Sequence, residues 1–277
     1  MKANWILFFI TVFGINVFGQ LERKPAIENL PVELTFHAPR HINLLTVEPL
    51  DKGTLHLAIM HTFGTVDGGI STLFGLDYGA SIQLGVEYGI SDKFSLGFSR
   101  SSRDRIYQIF GRYHLLSETQ NGKIPVSVSL MGGAGTSTYF LNAPGNLERD
   151  FSQTLSYVGQ LMVAKKISDR ISAQVSPMVA YFPTALPSFY LEKEENLYVA
   201  LGLSGKFRFT QKSSLTLQYI PSLNTDLAPN FGFGVDMEAG GHVFQMYLVT
   251  SQLLNEQYLL GGLNKYLRFG FNVNRVF

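Results

Sequence analysis

Seven ionisable side chains fall where strand alternation turns them to one side of a sheet: Glu87, Arg112, His114, Lys206, Asp236, Glu238 and Arg268. Three are acidic, three basic and one is an imidazole. Confined in a narrow space, opposite charges pair, because an isolated ion is costly to desolvate. The set reads first as a structural network filling the inside of a cylinder, and second as a polar conduit or solute site. A smaller group, Asp77 with Arg100 or Arg103, falls at one height near a loop and is expected to form a charged cluster on the rim.

Other chemistries find less support. Of the six histidines, His37, His41, His56 and His61 lie close together, yet no HxH, HxxH or His–carboxylate spacing marks a ligand set, so no metal or cofactor is expected. A lipid hydrolase would need a Ser and an orienting amide or acid beside an outward histidine. His61 and His242 are the outward candidates, and the sequence places no such partners beside them, so no catalytic residue is assigned. Gly68-Gly69 and Gly132-Gly133-Ala134-Gly135 are followed by neither Lys-Ser/Thr nor a helix, which argues against a phosphate loop. The formal net charge of +1, with no basic patch interleaved with aromatics, argues against a nucleic-acid partner.

The elements that must position these residues are strands. From Thr54 onward twelve segments alternate: Thr54–Phe63, Gly79–Ile90, Phe94–Ser102, Arg105–Leu116, Ile124–Thr136, Leu155–Ile167, Ile171–Phe182, Leu197–Phe209, Ser214–Leu223, Asn230–Glu238, His242–Thr250 and Leu267–Phe277. In Ser81–Tyr88, for instance, Ile82, Leu84, Val86 and Tyr88 interleave with Ser81, Gln83, Gly85 and Glu87. A period of two gives one apolar and one polar face. Lengths near ten suit a tilted transmembrane strand, and an even count suits a closed cylinder. Connections alternate between short turns, such as Ser91–Lys93 and Ala239–Gly241, and long loops, such as Gly64–Tyr78 and Ser251–Tyr266. That is the pattern of outer-membrane barrels. The chain closes on an alternating strand with a terminal Phe277, as such barrels commonly do.

A soluble β-sandwich also alternates, but its second face meets water and carries Lys and Glu. Here the second face is Gly, Ser, Gln and Asn, and charged residues are only 16% of the chain. The mean hydropathy of +0.10 fits apolar residues hidden at every second position. Phe94, Tyr113, Tyr157, Phe182, Phe207, Phe209, Tyr219 and Phe269, near strand ends, are expected in the interfacial girdles.

Residues 1–19 read as a secretory signal peptide: basic Lys2, an apolar run from Trp5, and small Val17 and Gly19 before Gln20. The absence of Cys excludes a lipid anchor on cysteine and a disulfide framework. Residues 20–52, with Pro25, Pro31, Pro39 and Pro49, read as an extended segment that is either periplasmic or plug-like. Residues 53–277 form the barrel. Phe74 and Leu76 are expected to tuck into its mouth.

Three pieces in order, His61-Thr62-Phe63-Gly64, Leu73-Phe74-Gly75-Leu76-Asp77 and Tyr88-Gly89-Ile90-Ser91-Asp92-Lys93 with Gly97-Phe98-Ser99-Arg100-Ser101, resemble a family of outer-membrane β-barrel proteins whose domain has no known function. Ile42-Asn43…Thr46-Val47-Glu48 and Tyr113-His114-Leu115-Leu116 extend the resemblance, which runs from about Phe36 to Leu116. It implies a full-chain barrel and supplies no activity. Thr62 stands where the family pattern has Arg, so a rim charge is missing.

The expectation is an all-β, single closed antiparallel transmembrane barrel of about twelve strands with an N-terminal extended segment. Both termini would be periplasmic. Its function would be that of a non-enzymatic small-solute channel or transport accessory. The alternative is a plugged structural or partner-docking barrel, and the third reading is a lipid hydrolase. The partners would be outer-membrane lipid, with small solutes or another envelope protein.

Overall fold

The computed structural model describes residues 29–184, 195–262 and 264–277. The expected signal peptide, the start of the N-terminal segment and part of the Pro183–Asn196 loop lie outside these residues.

Twelve antiparallel strands close into a barrel. They are β1 (Leu55–Thr65), β2 (Ser81–Ser91), β3 (Phe94–Ser101), β4 (Ile106–Leu116), β5 (Ser127–Ser137), β6 (Leu155–Lys166), β7 (Ile171–Tyr181), β8 (Leu197–Arg208), β9 (Ser213–Ile220), β10 (Asn230–Ala239), β11 (His242–Val249) and β12 (Arg268–Val276). Each pairs with its neighbours in sequence, and β12 pairs with β1 from Arg268 opposite Thr65 to Val276 opposite His56. Phe277 and Leu55 extend that seam, the Phe277 N–H donating to Leu55 O at 2.9 Å. Closure leaves no strand edge in hydrocarbon, where an unbonded amide would be costly.

The faces divide as the alternation dictates. Leu84, Leu130, Leu217 and Phe233 are exposed on the outer wall, while Gln83, Met131, Gln218 and Asp236 are buried inside. The strand ends differ from expectation at prolines. β5 starts at Ser127 rather than Ile124, and β9 stops at Ile220 rather than Leu223. Pro125 and Pro221 lack the N–H that a ladder needs. The β10–β11 turn places Gly240 (φ 58°) and Gly241 (φ 77°) in the left-handed region, as a two-residue hairpin requires.

Two segments fill the cylinder. Residues 31–50 enter at the short-turn end, where the Val32 N–H donates to Glu118 O at 2.7 Å, and return there to begin β1. Between these points they form a small hairpin, Arg40–His41 pairing with Leu44–Leu45, its tip at Ile42 and Asn43. From the opposite end the β11–β12 loop descends, buried from Leu253 through Gly262, and carries the short helix α1 (Glu256–Gly261). Leu44 of the hairpin and Tyr258, Leu259 and Leu260 of α1 join Tyr198, Phe182 and Ile220 of the wall in one apolar cluster. A second cluster, at the hairpin's other side, holds Phe36, Leu45 and Val47 against Phe110, Met131, Val158 and Met162. Burying five large apolar side chains of the hairpin contributes on the order of 10 kcal/mol.

Two expectations are corrected. Phe182 does not join a girdle: just past the end of β7 it is buried inside, edge-on to Tyr198 and Tyr258. Phe74 and Leu76 do not enter the mouth, which the β11–β12 loop already occupies; both are exposed.

Candidate functional site

The lumen is the site. Six inward glutamines sit on six strands: Gln83, Gln108, Gln160, Gln174, Gln218 and Gln245, each at most 2% exposed. They alternate with outward apolar residues, so the pleat aims them at the axis. Most bind the inserted segments. Gln174 Nε2 donates to Leu45 O at 2.9 Å, while its Oε1 accepts the Val47 N–H at 2.8 Å. Gln160 Nε2 also donates to Leu45 O, at 3.3 Å. Gln218 Oε1 accepts the Asn43 N–H at 3.1 Å, and Gln245 Nε2 donates to Arg40 O at 3.1 Å. Asn272 Nδ2 donates to Ile42 O at 2.7 Å. The hairpin's backbone therefore finds partners in wall side chains, as buried backbone must.

Gln108 serves the other segment. Its Nε2 donates to Glu256 Oε2 at 2.9 Å, and its Oε1 accepts from Asn255 Nδ2 at 2.7 Å. Ser101 Oγ donates to Asn255 Oδ1, and Gln257 Nε2 donates to Ser156 Oγ at 3.1 Å. Where the two segments meet, Arg40 Nη2 lies 2.7 Å from Glu256 Oε1, the two side chains 5% and 1% exposed. Arg40 Nη1 also donates to Asn43 O at 2.9 Å, which holds the guanidinium at the hairpin tip.

The structure distributes the seven lumen candidates among several places. Glu87 and Arg112 form a buried pair, Nη2 to Oε1 at 2.8 Å and Nε to the same oxygen at 2.9 Å. Ser95 Oγ donates to that oxygen, and Arg112 Nη1 donates to Thr46 O of the hairpin at 2.9 Å. His114 stands apart, bonded to Ser129 at 2.9 Å and Ser117 at 2.8 Å. Lys206 Nζ donates to Leu34 O at 2.8 Å and lies 5.9 Å from the Phe36 ring centre. Asp236 accepts from Gln245 at 3.1 Å. Glu238 approaches His37 at 3.9 Å, nearer the short-turn end. Arg268 begins β12 at the opposite end. Among these seven, only Glu87 and Arg112 pair with one another.

The rim cluster does not form. Among the described residues Asp77 joins no ion pair. Arg100 lies on the outward face of β3, donates from Nε to the Tyr107 hydroxyl at 3.2 Å, and stacks over that ring. Strand parity turned it to the wall rather than toward the loop. The outward histidines are engaged elsewhere: His61 stacks on Phe271 at 4.4 Å, and His242 Nε2 accepts from Arg275 at 3.1 Å.

The hairpin's own titratable groups respond to burial. His37 and His41 lie on the inserted segment, not on a spanning strand. Burial, aided by the Lys206 cation, lowers each to about 4, so both rings are neutral at neutral pH. His37 Nε2 bonds Ser214 Oγ at 2.7 Å, and His41 Nε2 bonds Leu217 O at 3.0 Å. Burial pushes the Glu48 carboxyl up, against the Phe36 N–H that donates to it at 2.8 Å.

One cavity, lined in part by Arg40, His56, Gln83 and Glu87, has about 10 Å³, and another, beside Arg112 and His114, has about 10 Å³. Each has room for about one water. The orphaned Gln83 Oε1, Glu87 Oε2 and Ser99 Oγ border the first.

Sequence reasoning missed Arg40, Glu256 and the role of the glutamines. A signal existed: long amides recurring on inward positions of six strands demand partners, and so imply that something fills the space between them.

A family model described as a membrane-bound β-barrel domain, DUF5777, matches residues 36–277. The chain belongs to this family. The DUF5777 match begins within the inserted hairpin and runs through β12, well beyond the stretch from Phe36 to Leu116 that carried the sequence resemblance. The match takes in residues 36–52 of the inserted segment together with the barrel, which is a transmembrane barrel of the outer-membrane type. No curated protein matches the chain in sequence.

Among solved structures, this DUF5777 chain is similar to the KdgM porin, with 8% identity and a TM-score of 0.50 over 81% of this chain and 99% of that one. It is similar also to KdgM porin in complex with disordered oligogalacturonate, with 7% identity and a TM-score of 0.52 over 81% and 99%. An outer-membrane channel from Pseudomonas putida F1 aligns at 14% identity over 83% and 98%, with a TM-score of 0.47. At such identities the KdgM likeness shows the barrel fold alone.

Proposed function

We propose that this protein is a non-enzymatic outer-membrane barrel whose lumen is held shut by the inserted hairpin, with both termini and the short turns on the periplasmic side. The observation that carries this reading is the buried Arg40–Glu256 pair, which joins a segment entering from one end to a loop entering from the other. Beside the inserted segments lie two cavities, each with room for about one water. Short turns on one side and long loops on the other support the orientation.

A second reading, a small-solute channel opened by withdrawal of the hairpin, is favoured by one feature. The hairpin pairs in strand fashion with itself, and the twelve-strand ladder closes without it. Its removal would unpair no barrel strand.

Planar-bilayer recording separates the two. The full chain is expected to show no unitary conductance. Leu44→Asp with Leu45→Asp, which places charge in both apolar clusters, is expected to produce channels. Steady conductance from the unaltered chain would overturn the closed reading. A silent double variant, verified as folded, would argue that the barrel is structural.

A further inference from the structure

The most exposed large apolar side chain among those of the described residues is not on the lipid-facing wall. It is Ile70, 77% exposed, in the β1–β2 loop. Leu73, Phe74, Leu76 and Tyr78 of the same loop are each between 42% and 53% exposed. Water would not hold such a surface cheaply, and contiguous exposed apolar patches mark interaction sites.

The loop is built to present them. Leu73 (φ 46°, ψ 48°) and Phe74 (φ 53°, ψ 37°) are consecutive left-handed residues, a conformation that L side chains rarely adopt. Such backbone persists only where the surroundings over-determine it, and it gathers where function needs it. The surroundings here are tight. A Cβ on Gly75 would sit 2.5 Å from Gly64 O, and one on Gly64 would meet Tyr78 Cδ2 at 2.6 Å. The Val66 N–H donates to Leu267 O at 2.9 Å, which ties the loop to the start of β12. The Leu76 N–H donates to Leu73 O at 3.2 Å and the Asp77 N–H to Thr72 O at 3.3 Å. The loop is a fixed platform, with its apolar side chains turned out.

The wall beneath it says what covers them. The outer face at the β12–β1 seam carries Phe63 stacked at 6.0 Å on Phe269 and His61 at 4.4 Å on Phe271, a continuous aromatic surface that runs up to the loop. β1 has 11 residues. At about 3.3 Å each and a tilt of about 40°, such a strand climbs about 28 Å, against an apolar band of about 25 Å. The strand is therefore long enough to cross that band, which sets the loop that follows it near the headgroup–acyl boundary.

We propose that the β1–β2 loop is a membrane-seated foot, its Ile70, Leu73 and Phe74 inserted among the lipid acyl chains of the outer leaflet as a continuation of the aromatic seam. This rests on the outer-membrane placement and orientation, and not on whether the lumen is open.

A single tryptophan tests it. The sequence has one Trp, Trp5. With Trp5→Phe in the full chain, Phe74→Trp, or independently Ile70→Trp, becomes the sole reporter. The protein is reconstituted in phosphatidylcholine vesicles, with folding checked by heat-modifiable migration. Lipid brominated near the carbonyl end of its acyl chains is expected to reduce the emission at least twofold, while acrylamide quenches it several times less than it quenches Glu148→Trp in the β5–β6 loop. Acrylamide quenching equal to that of the Glu148→Trp control, with no effect of brominated lipid, would overturn the proposal and leave the patch facing water. Emission shielded from both quenchers would overturn it too, in favour of coverage by a second copy of the chain. If the chain proved to lie in the opposite orientation, with quencher reaching the β5–β6 loop only from inside the vesicle, the placement would fail while the depth readings stood.

Discussion

Arg40 of the inserted hairpin and Glu256 of the β11–β12 loop meet at 2.7 Å in the middle of the barrel, both buried. They are 216 positions apart in sequence, and they join segments that enter from opposite ends. Removing one partner leaves an uncompensated buried charge, which costs about 3–5 kcal/mol, whereas replacing both by apolar residues of similar volume is often neutral. Glu256→Gln is therefore expected to loosen the hairpin, with amide hydrogen exchange over residues 31–50 accelerating about 10²–10³-fold. Arg40→Met combined with Glu256→Leu is expected to restore most of that protection. A double variant that exchanges as fast as the single would show that the pair does not latch the segments.

The amides of the wall make a second, separable contribution. Gln174 holds both Leu45 O and the Val47 N–H. Gln174→Leu strands the Val47 N–H, at about 1–3 kcal/mol for a buried group left unsatisfied, and leaves Leu45 O with only the longer bond from Gln160. The exchange of the Val47 amide is expected to quicken. The urea midpoint of the barrel, which does not depend on that contact, should stay within experimental scatter.

Acid should weaken the docking of the hairpin. His37 and His41 are lowered to about 4 when docked, against 6.5 when free. Between those values the undocked segment takes up protons that the docked one refuses. The stability due to neutral imidazoles is therefore full above pH 6.5 and falls as the pH drops toward 4. Glu48, raised by burial, acts in the opposite sense. The clean measurement is a difference: protection of residues 31–50 in the wild type minus that in His37→Gln/His41→Gln. That difference is expected to shift against the wild type on acidification from pH 7 to 5. A pH-independent difference would contradict neutral docked rings.

Two substitutions, one on the wall and one in the β1–β2 loop, should contrast. A Cβ on Gly97 would collide with the Phe110 ring that covers it inside the barrel. Gly97→Ala is expected to destabilise by about 1–3 kcal/mol, the usual range for overpacking. Asp77 is exposed and outside any ion pair among the described residues, so Asp77→Ala should change stability by less than about 0.5 kcal/mol. Urea titration in lipid vesicles compares the two.

The barrel was legible because its physics is local. A period of two in Ser81–Tyr88 or Leu215–Tyr219 states which side chains meet lipid, and twelve such segments joined by alternating short and long links leave closure as the natural solution in hydrocarbon. Inward placement of Glu87, Arg112, Lys206 and Asp236 followed from the same parity. The rim cluster failed for a related reason: parity turned Arg100 outward onto Tyr107, and shared height did not bring it to Asp77.

The sequence by itself determined the wall, because each strand's pattern is set by its immediate neighbours and the solvent on either side. Only the tertiary structure decided what the wall encloses. Residues 31–50 have no sustained periodicity, since beyond the short pairing of Arg40–His41 with Leu44–Leu45 their backbone is satisfied by Gln160, Gln174, Gln245 and Asn272 from distant strands. The meeting of Arg40 with Glu256 likewise depends on how far two irregular segments reach into one interior. No spacing along the chain encodes that distance, because it is fixed by the packing of side chains brought together only when the cylinder closes.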